Sequence, residues 1–313
     1  SSVGRCSSGV VGVGMSRSPV TDARLQSSRT LRESVLRRFG FIPTSTLKIS
    51  RGALSRQMFM FQGEVPETRA SIVLKQKRLE LNLRQGVAAY SGSGKDRGPL
   101  SIMPAELVDF FVQYYSEEGD VYLDPFMGQG IRMQVALKRR RHYYGYDASS
   151  TFFAYVDRIR EKLTTPASSV DVRVYLGDSR SPDQIPDNVG DFSFHSPPYW
   201  DVEYYGDDDA QLGKAPTYHE FLALMRDVAE AWLPKFKSGA YHVVNVGDFR
   251  REGVFYPYHS DLIREFIAAG WVMHDIWIID GLVGGLMKIF GADCVKKRIT
   301  PRCHEYALVF RKP

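Results

Sequence analysis

Cysteine is scarce: Cys6, Cys294 and Cys303 are the only three in 313 residues. Three cysteines build no disulfide framework, which excludes a small stapled scaffold and points to a reducing compartment. Cys294, Cys303 and His304 lack a paired C-x-x-C spacing, so no metal site is expected. Long apolar runs are missing too. None approaches the ~20 residues that span a bilayer, so neither a membrane partner nor secretion is expected. The glycine-rich SGSGK at Ser91–Lys95 is no phosphate loop, because Asp96 stands where Ser or Thr is needed.

Charge is present but lopsided. Residues 1–100 carry 17 Lys+Arg against 6 Asp+Glu, a balance of +11. Residues 101–313 carry 24 against 30, a balance of −6, and together these give the net +5. A basic N-terminal third on an acidic remainder suggests an anionic partner touched mainly by the first part, nucleic acid before any other. Residues 1–28 are rich in Ser, Gly and Val without periodicity and read as a flexible tail. Residues 29–98 form a basic segment. It opens on a helix over Ser28–Phe39, where Leu31, Val35, Leu36 and Phe39 share a face. Further on, Arg51, Arg56, Arg69 and Lys75 are interleaved with Met58, Phe59 and Phe61, a candidate for contacts to DNA. Tyr90–Pro99 has linker composition.

From residue 99 to 313 the pattern is regular. Strands are expected at Val121–Phe126, His142–Asp147, Asp171–Asp178, Asp191–His195, Ala240–Asp248, Trp271–Asp280 and His304–Phe310. Helices fall between them, at Pro104–Tyr115, Ile131–Arg141, Ser149–Lys162, Tyr218–Leu233 and His259–Ala269. That alternation predicts an α/β fold: a doubly wound, mostly parallel sheet with helices on both faces. In such sheets ligands lie at the carboxyl ends of the strands.

The residues at those ends form a series. After the first strand comes DPFMGQG, in which Gly128 and Gly130 let the backbone turn tightly and approach a ligand without a Cβ. The second strand ends in Asp147. A carboxylate about 20 residues beyond the glycines suits the paired hydroxyls of a ribose. The third ends in Gly177-Asp178, whose carboxylate suits an adenine amino group. The fourth ends in Ser196-Pro197-Pro198-Tyr199. Two prolines remove two N–H donors and fix two φ angles, so the chain leaves the sheet in a rigid turn. A hydroxyl precedes that turn and a flat ring follows it, a combination suited to holding a planar, amino-bearing ring. Any one of these features alone reads equally well as a cap, a turn or a strand stop.

Together, DPFMGQG, GYD, GDS and SPPYW resemble the amino-methylating DNA methyltransferases, over roughly Pro99 to Pro313. The resemblance implies a seven-stranded Rossmann-like methyltransferase sheet and S-adenosylmethionine as cofactor. It implies that Asp124, Phe126, Gly128 and Gly130 line the methionine end of that cofactor, with Asp147 on the ribose and Asp178 on the adenine. Ser196, Pro197, Pro198 and Tyr199 would form the catalytic pocket, with Tyr199 stacked on a base flipped out of duplex DNA. Ser rather than Asp before the prolines resembles the cytosine-N4 branch more than the adenine-N6 branch. No cysteine follows a proline, which argues against carbon-5 methylation. The resemblance leaves open an amino methyltransferase acting on RNA or on a protein glutamine, an inactive DNA-binding module, and a homodimer. It implies a cytoplasmic or DNA-associated protein. His195 departs from the family pattern and is expected at the rim of the pocket. Tyr204, Tyr205 and Asp207–Asp209 are expected to form a loop over it.

Overall fold

The strand–helix alternation is realised in a computed structural model. It describes residues 33–35, 37–38, 45–48, 103–165, 168–202, 208–280, 294–300 and 304–313. The chain divides into residues 1–42 and 43–313. In the first unit residues 33–35 and 37–38 are helical, inside the helix expected there. The expected tail 1–28, residues 49–90 of the basic segment and the Tyr90–Pro99 linker lie outside the described residues.

The second unit is built on one sheet. Its central parallel strands are β2 (Val121–Asp124), β3 (His142–Asp147), β4 (Val172–Leu176), β5 (Gly190–His195) and β6 (Phe236–Val246). A hairpin, β7 (Phe249–Arg251) and β8 (Val254–Tyr256), stands apart as a two-stranded sheet. β9 (Val272–Asp280) and β10 (His304–Arg311) complete the expected seven, with β10 antiparallel to both β6 and β9. A short eighth strand, β1 (Thr46–Lys48), joins the edge by pairing parallel to β9 at Ile278–Asp280. The order is β1-β9-β10-β6-β5-β2-β3-β4.

That order fixes where the helices go. The helices are α1 (Ala105–Tyr115), α2 (Ile131–Lys138), α3 (Ser150–Leu163), α4 (Tyr218–Trp232) and α5 (Tyr258–Ala268). From β2 the chain winds through α2 to β3 and through α3 to β4, towards one edge. From β5 it winds through α4 to β6, towards the other. Parallel crossovers are right-handed, so α2 and α3 cover one face and α4 and α5 the opposite one. The direction reverses between β2 and β5, and there the carboxyl ends of two neighbouring strands diverge and leave a crevice.

Aromatic residues fill both layers. On the α1 side, Phe111 stacks on Phe194 with ring centroids 4.5 Å apart, and Trp277 meets Phe110 edge-on at 5.4 Å. On the other side, Phe221, Met225, Trp232, Leu262 and Phe266 are buried against Leu123, Tyr146, Val244 and Phe310. Each large side chain buried this way contributes about 1.5–3 kcal/mol.

α1 forms because Pro104 supplies an extended N-cap and Leu107, Val108, Phe110, Phe111 and Val112 give it a fully buried face. Asp109 lies in that face with no exposure. Arg139 at the end of α2 answers it, with Nη2 2.9 Å from Oδ2, and Gln113 Nε2 donates to the same oxygen at 2.7 Å. Arg139→Ala strands a buried carboxylate, and we expect it to cost about 3 kcal/mol of unfolding free energy. Arg139→Ala/Asp109→Leu is expected to recover most of that in chemical denaturation. Equal losses in the two variants would contradict this reading of the α1–α2 contact.

Candidate active site

The loop after β2 is shaped by buried polar groups. Asp124 is fully buried, and its carboxylate accepts from Arg132 Nε at 2.7 Å, Tyr143 Oη at 2.6 Å and the Phe126 amide at 3.2 Å. The Arg132 guanidinium also donates to the Phe126 carbonyl. Asp124 therefore faces the protein behind the loop. Its oxygens hold Phe126 and the first turn of α2. Gly128 (φ +50°) and Gly130 (φ +73°) take left-handed backbone, which glycine adopts without strain. A Cβ on Gly130 would stand 3.0 Å from Val156 Cγ2, so α3 presses directly on the turn.

Asp147 closes the same loop from β3. It accepts from the Gly128 amide at 2.8 Å with one oxygen and from the Ser149 amide at 2.8 Å with the other. Burial outweighs these two bonds and pushes its carboxyl up to about 6. Each oxygen retains a lone pair for a further donor.

Next to it lies a cavity of about 350 Å³, lined by Ala148, Leu176, Gly177, Asp178, Asp208, Asp209 and Ala210. Leu176 is 47% exposed there, an apolar wall left open at a strand end. Asp178 is gripped by Arg180, with Nε 3.0 Å from both oxygens and the Arg180 amide 2.8 Å from Oδ1. The Arg180 pairing outweighs burial and holds the Asp178 carboxyl below the usual carboxylate range, although burial is the largest single influence. Asp208 and Asp209, from the run expected to overlie the pocket, are in its wall. Tyr204, Tyr205 and Asp207 lie outside the described residues.

The double-proline turn leaves β5 at the same edge. Pro197 and Pro198 are buried, while Ser196, Tyr199 and Trp200 are half-buried. Neighbouring elements fasten it. Tyr258 Oη, from the start of α5, donates to the Pro198 carbonyl at 2.9 Å. The Gly247 amide, just past β6, donates to Tyr199 Oη at 2.8 Å. The Tyr199 ring is flanked by Tyr258 at 5.5 Å and Phe249 at 5.9 Å. Trp200 Nε1 donates to the Ala215 carbonyl at 2.9 Å. Against these, Ser196 Oγ and the Pro197 carbonyl have no hydrogen-bond partner among the described residues. Tyr258 and Gly247 had no sequence signal of their own; only the fold brings them to the turn.

His195 departs from expectation. It is not at a rim: it is 1% exposed, on the α4–α5 side of β5, with its Nε2 2.7 Å from Nε2 of the equally buried His242 on β6. The alternation of side chains along β5 puts Phe194 on one face and His195 on the other. The Phe126 ring lies 5.4 Å from His195 and closes it off from above. One Nε2–H donates to the other Nε2, and neither Nδ1 has a partner among the described residues. Burial pushes both pKa values down, that of His242 to about 3, and at His195 the neighbouring His242 and Arg132 act in the same direction as burial. Asp248, at the end of the strand expected over Ala240–Asp248, accepts from the His259 amide at 3.2 Å and caps α5.

Stability should follow from these shifts. Above pH 6.5 both imidazoles are neutral, folded or unfolded. As pH falls below that, the unfolded chain protonates and the fold does not, so stability drops by about 1.4 kcal/mol per pH unit per histidine. Asp147 offsets one of the two between roughly pH 6 and 4, because the fold keeps a proton that the unfolded chain releases. We therefore expect unfolding free energy to fall from pH 7 to 5, and His195→Leu/His242→Leu to abolish that fall and leave the opposite, weaker trend of Asp147 below pH 6. An unchanged slope in the double variant would place the acid sensitivity elsewhere.

Among the described residues there is no cluster of three side chains set to hold a metal, and no helix is long and apolar enough to cross a membrane. A family model described as DNA methylase, of the N6/N4 type, matches residues 91–158. That span contains the glycine loop and Asp147 and ends before the double-proline turn. No curated protein matches the chain. Solved structures with a similar arrangement include a SAM-dependent methyltransferase from Methanosarcina mazei, at 13% identity and a TM-score of 0.44, covering 68% of this chain and 99% of that one. A geranyl diphosphate C-methyltransferase from Streptomyces coelicolor is 15% identical with a TM-score of 0.43, covering 66% and 80%. The [4+2]-cyclase SpnF is 18% identical with a TM-score of 0.45, covering 67% and 81%.

Proposed function

We propose that the protein is an S-adenosylmethionine-dependent amino methyltransferase acting on DNA, with the N4 of a flipped-out cytosine as its target. One observation carries the reading. At the double-proline turn the Pro198 carbonyl, Tyr199 Oη and Trp200 Nε1 are bound within the protein, whereas two acceptors, Ser196 Oγ and the Pro197 carbonyl, have no partner among the described residues. They stand at the same sheet edge as a cavity with the features of a nucleoside site.

The residues at that edge fit the cofactor. Asp147 has lone pairs for the ribose hydroxyls, and Gly128 offers backbone with no Cβ in the way. The cavity beside Leu176 and Asp178 has an apolar wall for a purine and a carboxylate for its amino group. Phe126 and Gly130 would border the methionine end. Asp124 positions that loop from behind through Phe126 and Arg132. When bound, S-adenosylmethionine supplies an electrophilic methyl group on a sulfonium sulfur.

The chain's own contribution is positioning and polarisation. An exocyclic amino nitrogen is conjugated with its ring and is a poor nucleophile. Accepting its two N–H bonds at Ser196 Oγ and the Pro197 carbonyl turns the nitrogen towards sp3 and frees its lone pair. The prolines keep that carbonyl fixed, and the Tyr258 and Gly247 bonds keep the turn from yielding. Tyr199 offers a ring face for the base, worth about 1–3 kcal/mol in such contacts. The nitrogen becomes strongly acidic once methylated, so its proton needs no strong base. Ser rather than Asp at residue 196 supports cytosine over adenine N6.

We expect transfer of a labelled methyl group from S-adenosylmethionine to duplex DNA, with nucleoside mass spectrometry giving 4-methylamino-cytosine. Ser196→Ala should lower kcat about ten- to hundred-fold, the worth of one hydrogen bond to a group gaining positive charge. Cofactor binding should persist. Methylated adenine would move the target to N6, and full activity in Ser196→Ala would overturn the assigned role of the turn.

A further inference from the structure

The β7–β8 hairpin had no counterpart among the expected elements, and it is joined to the double-proline turn. Its register pairs Phe249 with Tyr256, Arg250 with Phe255 and Arg251 with Val254. Side chains alternate along a strand, so Phe249 and Tyr256 share one face and Arg250 and Phe255 the other. The inner face is anchored. Phe249 stacks on Tyr256 at 5.1 Å and meets Tyr199 at 5.9 Å, and Tyr256 meets Trp200 at 5.5 Å. Arg251 Nη2 binds Asp201 Oδ2 at 2.8 Å, next to Trp200 in sequence. Glu252 and Gly253 turn the hairpin with φ of +52° and +82°.

The outer face is different. Phe255 is 50% exposed, Arg250 is exposed, and the guanidinium lies over the Phe255 ring at 5.0 Å. Arg250 has no carboxylate partner among the described residues. Its one hydrogen bond among those residues is a long one, Nη1 to the Gly253 carbonyl at 3.4 Å. A single exposed phenylalanine is ordinary. A phenylalanine capped by an unneutralised planar cation, on a hairpin whose other face grips the catalytic turn, is a built platform. An aromatic ring stacks on an unpaired base, and an arginine fork binds a phosphate in two places.

We propose that the outer face of the β7–β8 hairpin is a DNA-binding platform. On it Phe255 stacks on an unpaired base next to the target nucleotide and Arg250 binds the adjoining phosphate. The inference rests on the reading of the site as a DNA methyltransferase. Flipping a base leaves its neighbours unstacked, and a platform joined to Tyr199 and Trp200 holds them while the target enters the pocket.

The test is binding of a fluorescein-labelled DNA oligonucleotide, followed by anisotropy over a range of salt, with S-adenosylhomocysteine binding measured alongside. Phe255→Ala should weaken DNA binding about ten-fold or more. Arg250→Ala should weaken it and lower the log–log salt slope by about 0.7–0.9, the value for one lost phosphate contact. Arg250→Lys should restore the slope but not the full affinity, since lysine keeps the charge without the fork. S-adenosylhomocysteine binding should be unchanged in all three. Wild-type affinity and slope in both alanine variants would overturn the platform and leave the methyltransferase reading standing. A wild-type protein that binds S-adenosylhomocysteine but no DNA would overturn the platform together with the DNA substrate.

Discussion

The site depends on a turn that cannot make ordinary backbone hydrogen bonds. Pro197 and Pro198 have no N–H to give to a neighbouring strand, so β5 must end where they begin. The carbonyls remain, and the fold treats them unequally. Tyr258 donates to that of Pro198, while that of Pro197 keeps its lone pairs beside Ser196 Oγ. Gly247 pins Tyr199 from the next strand. A turn braced from α5 and from the end of β6 presents its acceptors with little freedom to retreat. Such preorganisation is what an unreactive amino nitrogen requires.

The glycine loop is arranged by the same economy of buried polar groups. Asp124 and Asp147 are both buried carboxylates at strand ends, but they face opposite ways. Asp124 is bound to Arg132, Tyr143 and the loop amide at Phe126, so it stabilises a shape. Among the described residues Asp147 meets two backbone amides, and it keeps acceptor capacity. Two aspartates of similar position thus differ in their partners: one is fully engaged in the loop, the other keeps acceptor capacity.

Much of this architecture is legible in the sequence. His142–Asp147 is a strand with the bounds its alternation gives, and Pro104 and Ser149 stand as the N-caps of α1 and α3. Strong periodicity and punctuation by proline, glycine and serine make such elements readable. The hairpin was not readable: Phe249–Arg251 and Val254–Tyr256 are three residues each, too short for a period to show. β1 is equally short, and its pairing with β9 spans more than two hundred residues. Histidine chemistry misled for another reason. His195 borders the double-proline turn in sequence, but strand alternation turns its ring away into the core, where only the fold supplies His242. Tyr258 and Gly247 likewise reach the turn through tertiary packing.

The most direct measurement is a crystal structure of the protein with S-adenosylhomocysteine. The account predicts ribose hydroxyls on Asp147, the purine in the cavity beside Leu176 and Asp178, and the sulfur directed towards Ser196 and Pro197. A nucleoside bound elsewhere, or a sulfur directed away from the double-proline turn, would contradict it.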